Sequence, residues 1–167
     1  ISFTLTHLNQ AGALVLAYTD GSVQLNHGGT EMGQGLYTKI AQVVAEVFGI
    51  GLDKVRICAT STGKVPNTSP TAASSGSDLN GMAAKRAAEE IRDTIANLLA
   101  RDWRVPKARI TFADGHVTSG QKRMTFAEAC ARTHQARLPL SATGYYATPK
   151  ITWDRAKAKG RPFLYFS

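Results

Sequence analysis

Residues 28–49 read Gly28-Gly29-Thr30-Glu31-Met32-Gly33-Gln34-Gly35-Leu36-Tyr37-Thr38-Lys39-Ile40-Ala41-Gln42-Val43-Val44-Ala45-Glu46-Val47-Phe48-Gly49. Four glycines in the first eight positions exclude a helix interior there. From Leu36 onward, Leu36, Ile40, Val43, Val44, Val47 and Phe48 recur at helical spacing, and Gly49 supplies the stop. The stretch is a glycine loop feeding an amphipathic helix. Upstream, Ala13–Thr19 and Ser22–His27 are β-forming runs around Asp20-Gly21, a hairpin signal that predicts positive φ at both turn residues. Ser2–Leu8 also alternates as a strand, and Val55–Ala59 reads as a short strand beyond the helix.

The rest of the chain extends this order. Thr60–Ser77 carries nine Ser/Thr in eighteen positions and reads as a long polar loop. A connection of that length inside a compact domain points to function. A second helix is expected over about Asp78–Arg101. A second Asp-Gly hairpin is expected around Asp114-Gly115. Thr125-Phe126-Ala127-Glu128 is a capping box opening a helix to about Gln135. Ser141–Thr148 and Pro162–Phe166 are expected strands joined by a basic loop. The fold class is α+β.

The 167 residues are 43% hydrophobic and 19% charged, which excludes a disordered tail, a collagen-like chain and a coiled coil. The only cysteines, Cys58 and Cys130, suggest no disulfide framework, so a reducing, cytoplasmic setting is expected. No apolar run is long enough to span a membrane. The chain opens on Ile1 and closes on an apolar run, and it reads as a piece of a longer polypeptide. Its net charge of +8 is uneven: −2 over residues 1–50, +1 over 51–100 and +9 over 101–167. No aromatic-interleaved pattern accompanies the basic end, so neither nucleic acid nor membrane is expected as a partner.

The motifs exclude two common nucleotide sites. Gly33-Gln34-Gly35 begins a dinucleotide fingerprint, but Thr38 stands at the third glycine position. Gly63-Lys64 is followed by Val65, not the Ser or Thr of a phosphate-binding loop. Two anion-ready helix starts remain: the glycine loop before Leu36, and Ser69–Ser77 before the second helix. Both offer backbone N–H groups at a helix N-terminus. Plain turns and caps are the alternative reading of each. Glu31 reads as an acceptor of loop N–H bonds rather than as a catalytic base. His7, His27, His116 and His134 show no metal-ligand spacing.

Gly28-Gly29-Thr30-Glu31-Met32-Gly33-Gln34-Gly35-Leu36 and Val65-Pro66-Asn67-Thr68-Ser69-Pro70-Thr71-Ala72-Ala73-Ser74 resemble the molybdopterin-binding portion of the xanthine dehydrogenase and aldehyde oxidase family of molybdenum hydroxylases. Leu8–Ala13 and Ser141–Tyr146 are similar to further segments of it. The resemblance covers nearly the whole chain, making residues 1–167 a partial molybdopterin-binding domain. It implies a molybdopterin-type molybdenum cofactor here, with iron–sulfur clusters, FAD and NAD serving the rest of the enzyme. It implies hydroxylation of a purine, hypoxanthine or xanthine, with water as oxygen source. An aldehyde oxidase type or a non-catalytic phosphate-binding module is the alternative. The implied partners are the remaining segments of the same subunit and the iron–sulfur and FAD parts. Gly33, Gln34, Thr71, Ala72, Ala73, Ser74 and Ser77 match cofactor-binding positions, with Gln34 and Ala73 near the molybdenum. Phe3 and Thr4 match substrate-binding positions. No catalytic residue of the family has a matching motif in this chain, so these residues alone are expected to be inactive.

Overall fold

The structure is a computed structural model and describes residues 8–65, 67–72 and 74–161. The expected strand Pro162–Phe166 and all of Ser2–Leu8 except Leu8 lie outside them. A four-stranded sheet, ordered β3-β2-β1-β7, forms the centre. It contains β1 (Gln10–Ala17), β2 (Val23–His27), β3 (Val55–Ile57) and β7 (Ser141–Ala147). β1 runs antiparallel to both β2 and β7, while β2 and β3 are parallel. A parallel pair needs a crossover, and α1 (Leu36–Phe48) supplies it. α1 spans the residues its periodicity predicts and ends on Gly49 in the left-handed conformation.

α2 (Gly76–Trp103) starts two residues before the expected Asp78. Ala11, Ala13, Val15 and Ala17 of β1, Val23 and Leu25 of β2, and Ala142 and Tyr146 of β7 are buried in one core with α1 and α2. Period-two alternation along each strand puts these residues on one face. Leu36, Ile40, Val44 and Phe48 of α1 are each no more than 1% exposed. Complete burial of such a side chain contributes about 1.5–3 kcal/mol. α2 meets the sheet through small residues: Ala83, Ala84, Ala87 and Ala88 are all fully buried.

That smallness lets backbone meet backbone. A Cβ placed on Gly144 of β7 would lie 1.9 Å from the Ala83 carbonyl oxygen and 2.7 Å from the Ala87 nitrogen. Arg86 fastens the same junction, donating to the Tyr145 carbonyl while its guanidinium lies 5.1 Å from the Tyr146 ring centroid.

A smaller sheet of β4 (Thr111–Ala113), β5 (His116–Ser119) and β6 (Lys122–Thr125) packs at the other end of α1, followed by α3 (Phe126–Gln135). The Thr125–Glu128 capping box forms as its sequence predicts. The two Asp-Gly turns differ. Asp114 and Gly115 both take positive φ, as expected, whereas at Asp20-Gly21 only Gly21 does. There the Tyr18 N–H donates to the Ser22 carbonyl across a three-residue loop, and the Asp20 carboxylate accepts from the Ser22 N–H and hydroxyl. That side-chain bond favours negative φ at Asp20 and replaces the expected two-residue turn. The segment expected as a basic loop carries a separate hairpin, β8 (Thr152–Asp154) and β9 (Lys159–Arg161). Its alternation was hidden by charge, because every residue of both strands is exposed. Among the described residues no helix is long and apolar enough to cross a membrane.

Gly144→Ala is expected to destabilise the fold by about 3 kcal/mol or more, the upper end of overpacking costs, because its methyl meets rigid helix backbone. Thermal unfolding of the variant against wild type checks this, and an unchanged midpoint would contradict the packing described.

Candidate cofactor site

The two segments that interrupt regular structure, residues 28–35 and 60–75, come together at the starts of α1 and α2. The Thr30 N–H donates to the Thr71 hydroxyl at 2.8 Å. The Gly12 and Gln10 N–H groups donate to the Thr68 and Ser69 hydroxyls, and the Ser69 N–H returns to the Gln10 carbonyl. Residues 67–69 thereby prolong the sheet past the end of β2. A Cβ on Gly28 would lie 2.4 Å from the Thr68 side chain, so this crossing requires glycine.

His27 and Thr60 hold the loop from below. His27 Nδ1 accepts the Gly29 N–H at 3.1 Å, and its ring stands edge-on to Tyr37. The Thr60 hydroxyl lies within hydrogen-bond distance of the His27 and Gly29 carbonyls and of the Tyr37 hydroxyl. Burial pushes the His27 imidazole down to about 4, so it is neutral at ordinary pH and free to accept.

The two helix starts turn out unlike. Gly35 caps α1 in the left-handed region, φ 75°. The N–H groups around it are already taken: Glu31 accepts from Gly33, Gly35 and Tyr37 at 2.8, 3.1 and 3.0 Å. These bonds, led by the one from Tyr37, hold the Glu31 carboxyl below its ordinary range. The expectation of an anion site at α1 is therefore corrected, because the chain's own carboxylate fills it. At α2, Ser74 is left-handed, φ 60°, and Ser75 follows in the helical region. The Ser75 N–H is taken by the Ala72 carbonyl at 3.3 Å, so the donors left at this start are the first-turn N–H groups from Gly76 onward. No side chain caps this helix: the Ser75 hydroxyl donates backwards to the Ala72 carbonyl. Burial raises the Asp78 carboxyl in the same first turn, which favours its neutral form.

A cavity of about 310 Å³ lies between the two starts, lined by Met32, Gln34, Leu36, Lys39, Thr71, Ala72, Ser74, Gly76 and Ser77. The structure thus brings Gln34, Thr71, Ala72, Ser74 and Ser77 to one cavity, from segments more than thirty residues apart. Gly33 adjoins it without lining it. Ala73, Phe3 and Thr4 lie outside the described residues. The Gln34 amide is held by the loop: Oε1 accepts from the Met32 N–H at 2.6 Å, and Nε2 donates to the Thr30 carbonyl at 2.9 Å. That arrangement leaves one amide hydrogen free to donate to a ligand. Sequence reasoning missed Met32, Leu36, Lys39 and Gly76. The signal for Lys39 was present, since it is the only Lys or Arg in the first fifty residues.

Comparison with known proteins agrees with this arrangement. The profile of the molybdopterin cofactor-binding domain matches residues 1–167. Xanthine dehydrogenase of Oryza sativa subsp. japonica is 44% identical over 167 residues, 100% of this chain and 11% of the rice protein. Xanthine dehydrogenase/oxidase of Gallus gallus is 42% identical over the same shares. The chain thus spans about a ninth of these relatives. Quinoline 2-oxidoreductase from Pseudomonas putida 86 superposes with a TM-score of 0.75 at 24% identity, covering 91% of this chain and 22% of that one. Carbon monoxide dehydrogenase from Oligotropha carboxidovorans also gives 0.75 at 24% identity, over 83% and 18%. At that identity the likeness establishes a shared fold.

The His27 environment makes stability depend on pH. The unfolded chain binds a proton at this residue near pH 6.5 and the folded chain only near 4. Stability is therefore full above about 6.5 and falls as the pH drops towards 4, by at most roughly 3 kcal/mol. Urea unfolding from pH 7.5 to 4 should show this slope, and His27→Gln should flatten it. An equal slope in both proteins would remove His27 as its source.

Proposed function

We propose, since this chain belongs to the molybdopterin cofactor-binding domain family, that residues 28–77 form one wall of the cofactor site in a xanthine dehydrogenase-type oxidoreductase. The observation that carries this is the 310 Å³ cavity between a self-capped helix start and an uncapped one. The residues fit the group. The donors are hydroxyls, an amide and helix N–H groups, which suit a phosphate and a polar heterocycle. Ala72 and Gly76 leave room for a bulky ring. Among the described residues no three His, Cys, Asp or Glu side chains converge, so the residues suit a metal held by its own organic ligand.

When bound, the cofactor supplies the metal-centred oxidation of a purine ring carbon, with water as oxygen source. The chain's own residues bind and orient. Ser74, Ser77 and the α2 N–H groups receive the phosphate. Gln34, its amide fixed by Met32 and Thr30, would donate its remaining hydrogen to the cofactor. Thr71 keeps the two loops in register, and Ala72 and Ala73 are the positions that would hold the metal end of the cofactor. Phe3 packs on the substrate ring and Thr4 hydrogen-bonds it. Iron–sulfur clusters and FAD in the rest of the enzyme would carry the electrons on to NAD, in the cytoplasm. The general base and the remaining substrate clamps come from other segments of the subunit, so these residues alone do not turn over purine.

Gln34→Ala in the intact enzyme is expected to lower the molybdenum content or the turnover per molybdenum, measured by metal analysis and purine oxidation. Full loading with normal rates would count against this site. Thr4→Ala is expected to lower kcat/KM by about ten- to a hundredfold if its partner is left buried and unpaired, and an unchanged value would remove Thr4 from the substrate site.

A further inference from the structure

Lys39 stands against a local rule. It lies in the first turn of α1, where the helix dipole is positive and disfavours a cation. No ion pair compensates it among the described residues. Among the described residues the ion pairs involve Lys54, Lys85, Arg101, Lys107, Arg132 and Lys157, not Lys39. Glu31 has both oxygens engaged by backbone N–H groups, and Glu46, seven residues on and lining a neighbouring groove with Lys39, forms no ion pair with it. Residues 1–50 otherwise carry only acids among their Asp, Glu, Lys and Arg. Among the described residues Lys39 is also the only charged side chain lining the cavity, whose opposite wall is the uncapped start of α2.

A cation held at an unfavourable helix end, without an ion pair among the described residues and across a cavity from a helix start that no side chain caps, is poised for an anion. We propose that Lys39 is the counter-charge for the phosphate of the pterin cofactor, clamping it from the α1 side while the α2 N–H groups hold it from the other. This rests on the reading of the cavity as the cofactor site. It adds a direct role in cofactor retention for a residue outside both glycine- and serine-rich motifs. Local stability and ligand retention then make opposite demands on position 39, which a purely structural lysine would not show.

The test uses the intact enzyme with Lys39→Met, Lys39→Gln and Lys39→Arg. Molybdenum per subunit and pterin released at increasing potassium chloride are measured, together with the melting temperature of the cofactor-free protein. Both neutral variants should release the pterin about tenfold faster or more, with a weaker salt dependence. Lys39→Arg should keep near wild-type retention. The cofactor-free neutral variants should melt at or above wild type. Wild-type release from Lys39→Met and Lys39→Gln would overturn the assignment and leave the cofactor reading standing. Lowered melting in parallel with lowered content would make Lys39 structural and overturn it as well. A wild-type enzyme without molybdenum or pterin would instead overturn the reading beneath it.

Discussion

The contact between Gly144 and the Ala83–Ala87 turn of α2 is the constraint on which the rest depends. It occurs where a glycine on the inner face of β7 meets a run of alanines on the helix. Side chains of ordinary size would hold a helix further from a sheet, and here the backbones approach until no methyl fits between them. A helix seated that closely has little freedom to slide or rotate. Its first turn is therefore delivered to one place, above the end of β2, where the glycine loop begins. The cavity exists because α2 is set against β7 and α1 crosses from β2 to β3, so that both helix starts open on the same side.

The two starts share a left-handed residue before the first turn and yet serve different ends. At α1 the chain spends a carboxylate on its own N–H groups, which rigidifies Gly33-Gln34-Gly35 and locks the Gln34 amide in one orientation. At α2 the equivalent groups are left without a side-chain cap. An anion site and a well-capped helix are competing uses of the same donors, and the structure assigns one use to each helix. The buried, neutral His27 supports the arrangement from beneath, since only an unprotonated ring can accept the Gly29 N–H.

Much of this was legible from residue pattern. The period of Leu36, Ile40, Val44 and Phe48 located α1 to the residue, and the Thr125–Glu128 box located the start of α3. These are local effects, decided by neighbours within one helical turn. The turn at Asp20-Gly21 was misjudged for an equally local reason, because the Asp20 carboxylate bonds to Ser22 and changes the loop. The hairpin at β8 and β9 was hidden because exposed, charged strands lack the apolar alternation that reveals a strand. Residues 60–75, which look like an unstructured linker, are pinned by hydroxyls to Gln10, Gly12 and Thr30, partners more than forty residues away.

The sequence by itself determined the three helices, the strands of the central sheet, and the family through its two long motifs. Only the tertiary structure decided which helix start is free to take an anion, because that depends on whether a side chain reaches back to the N–H groups. It alone brought Lys39 into the same cavity as Ser74 and Ser77. The physical reasons differ in range: capping is settled by side chains two to six residues from the N–H groups they reach, whereas Lys39 meets Ser74 and Ser77 only through packing of segments more than thirty residues apart. Residue spacing along one element carries no record of that packing.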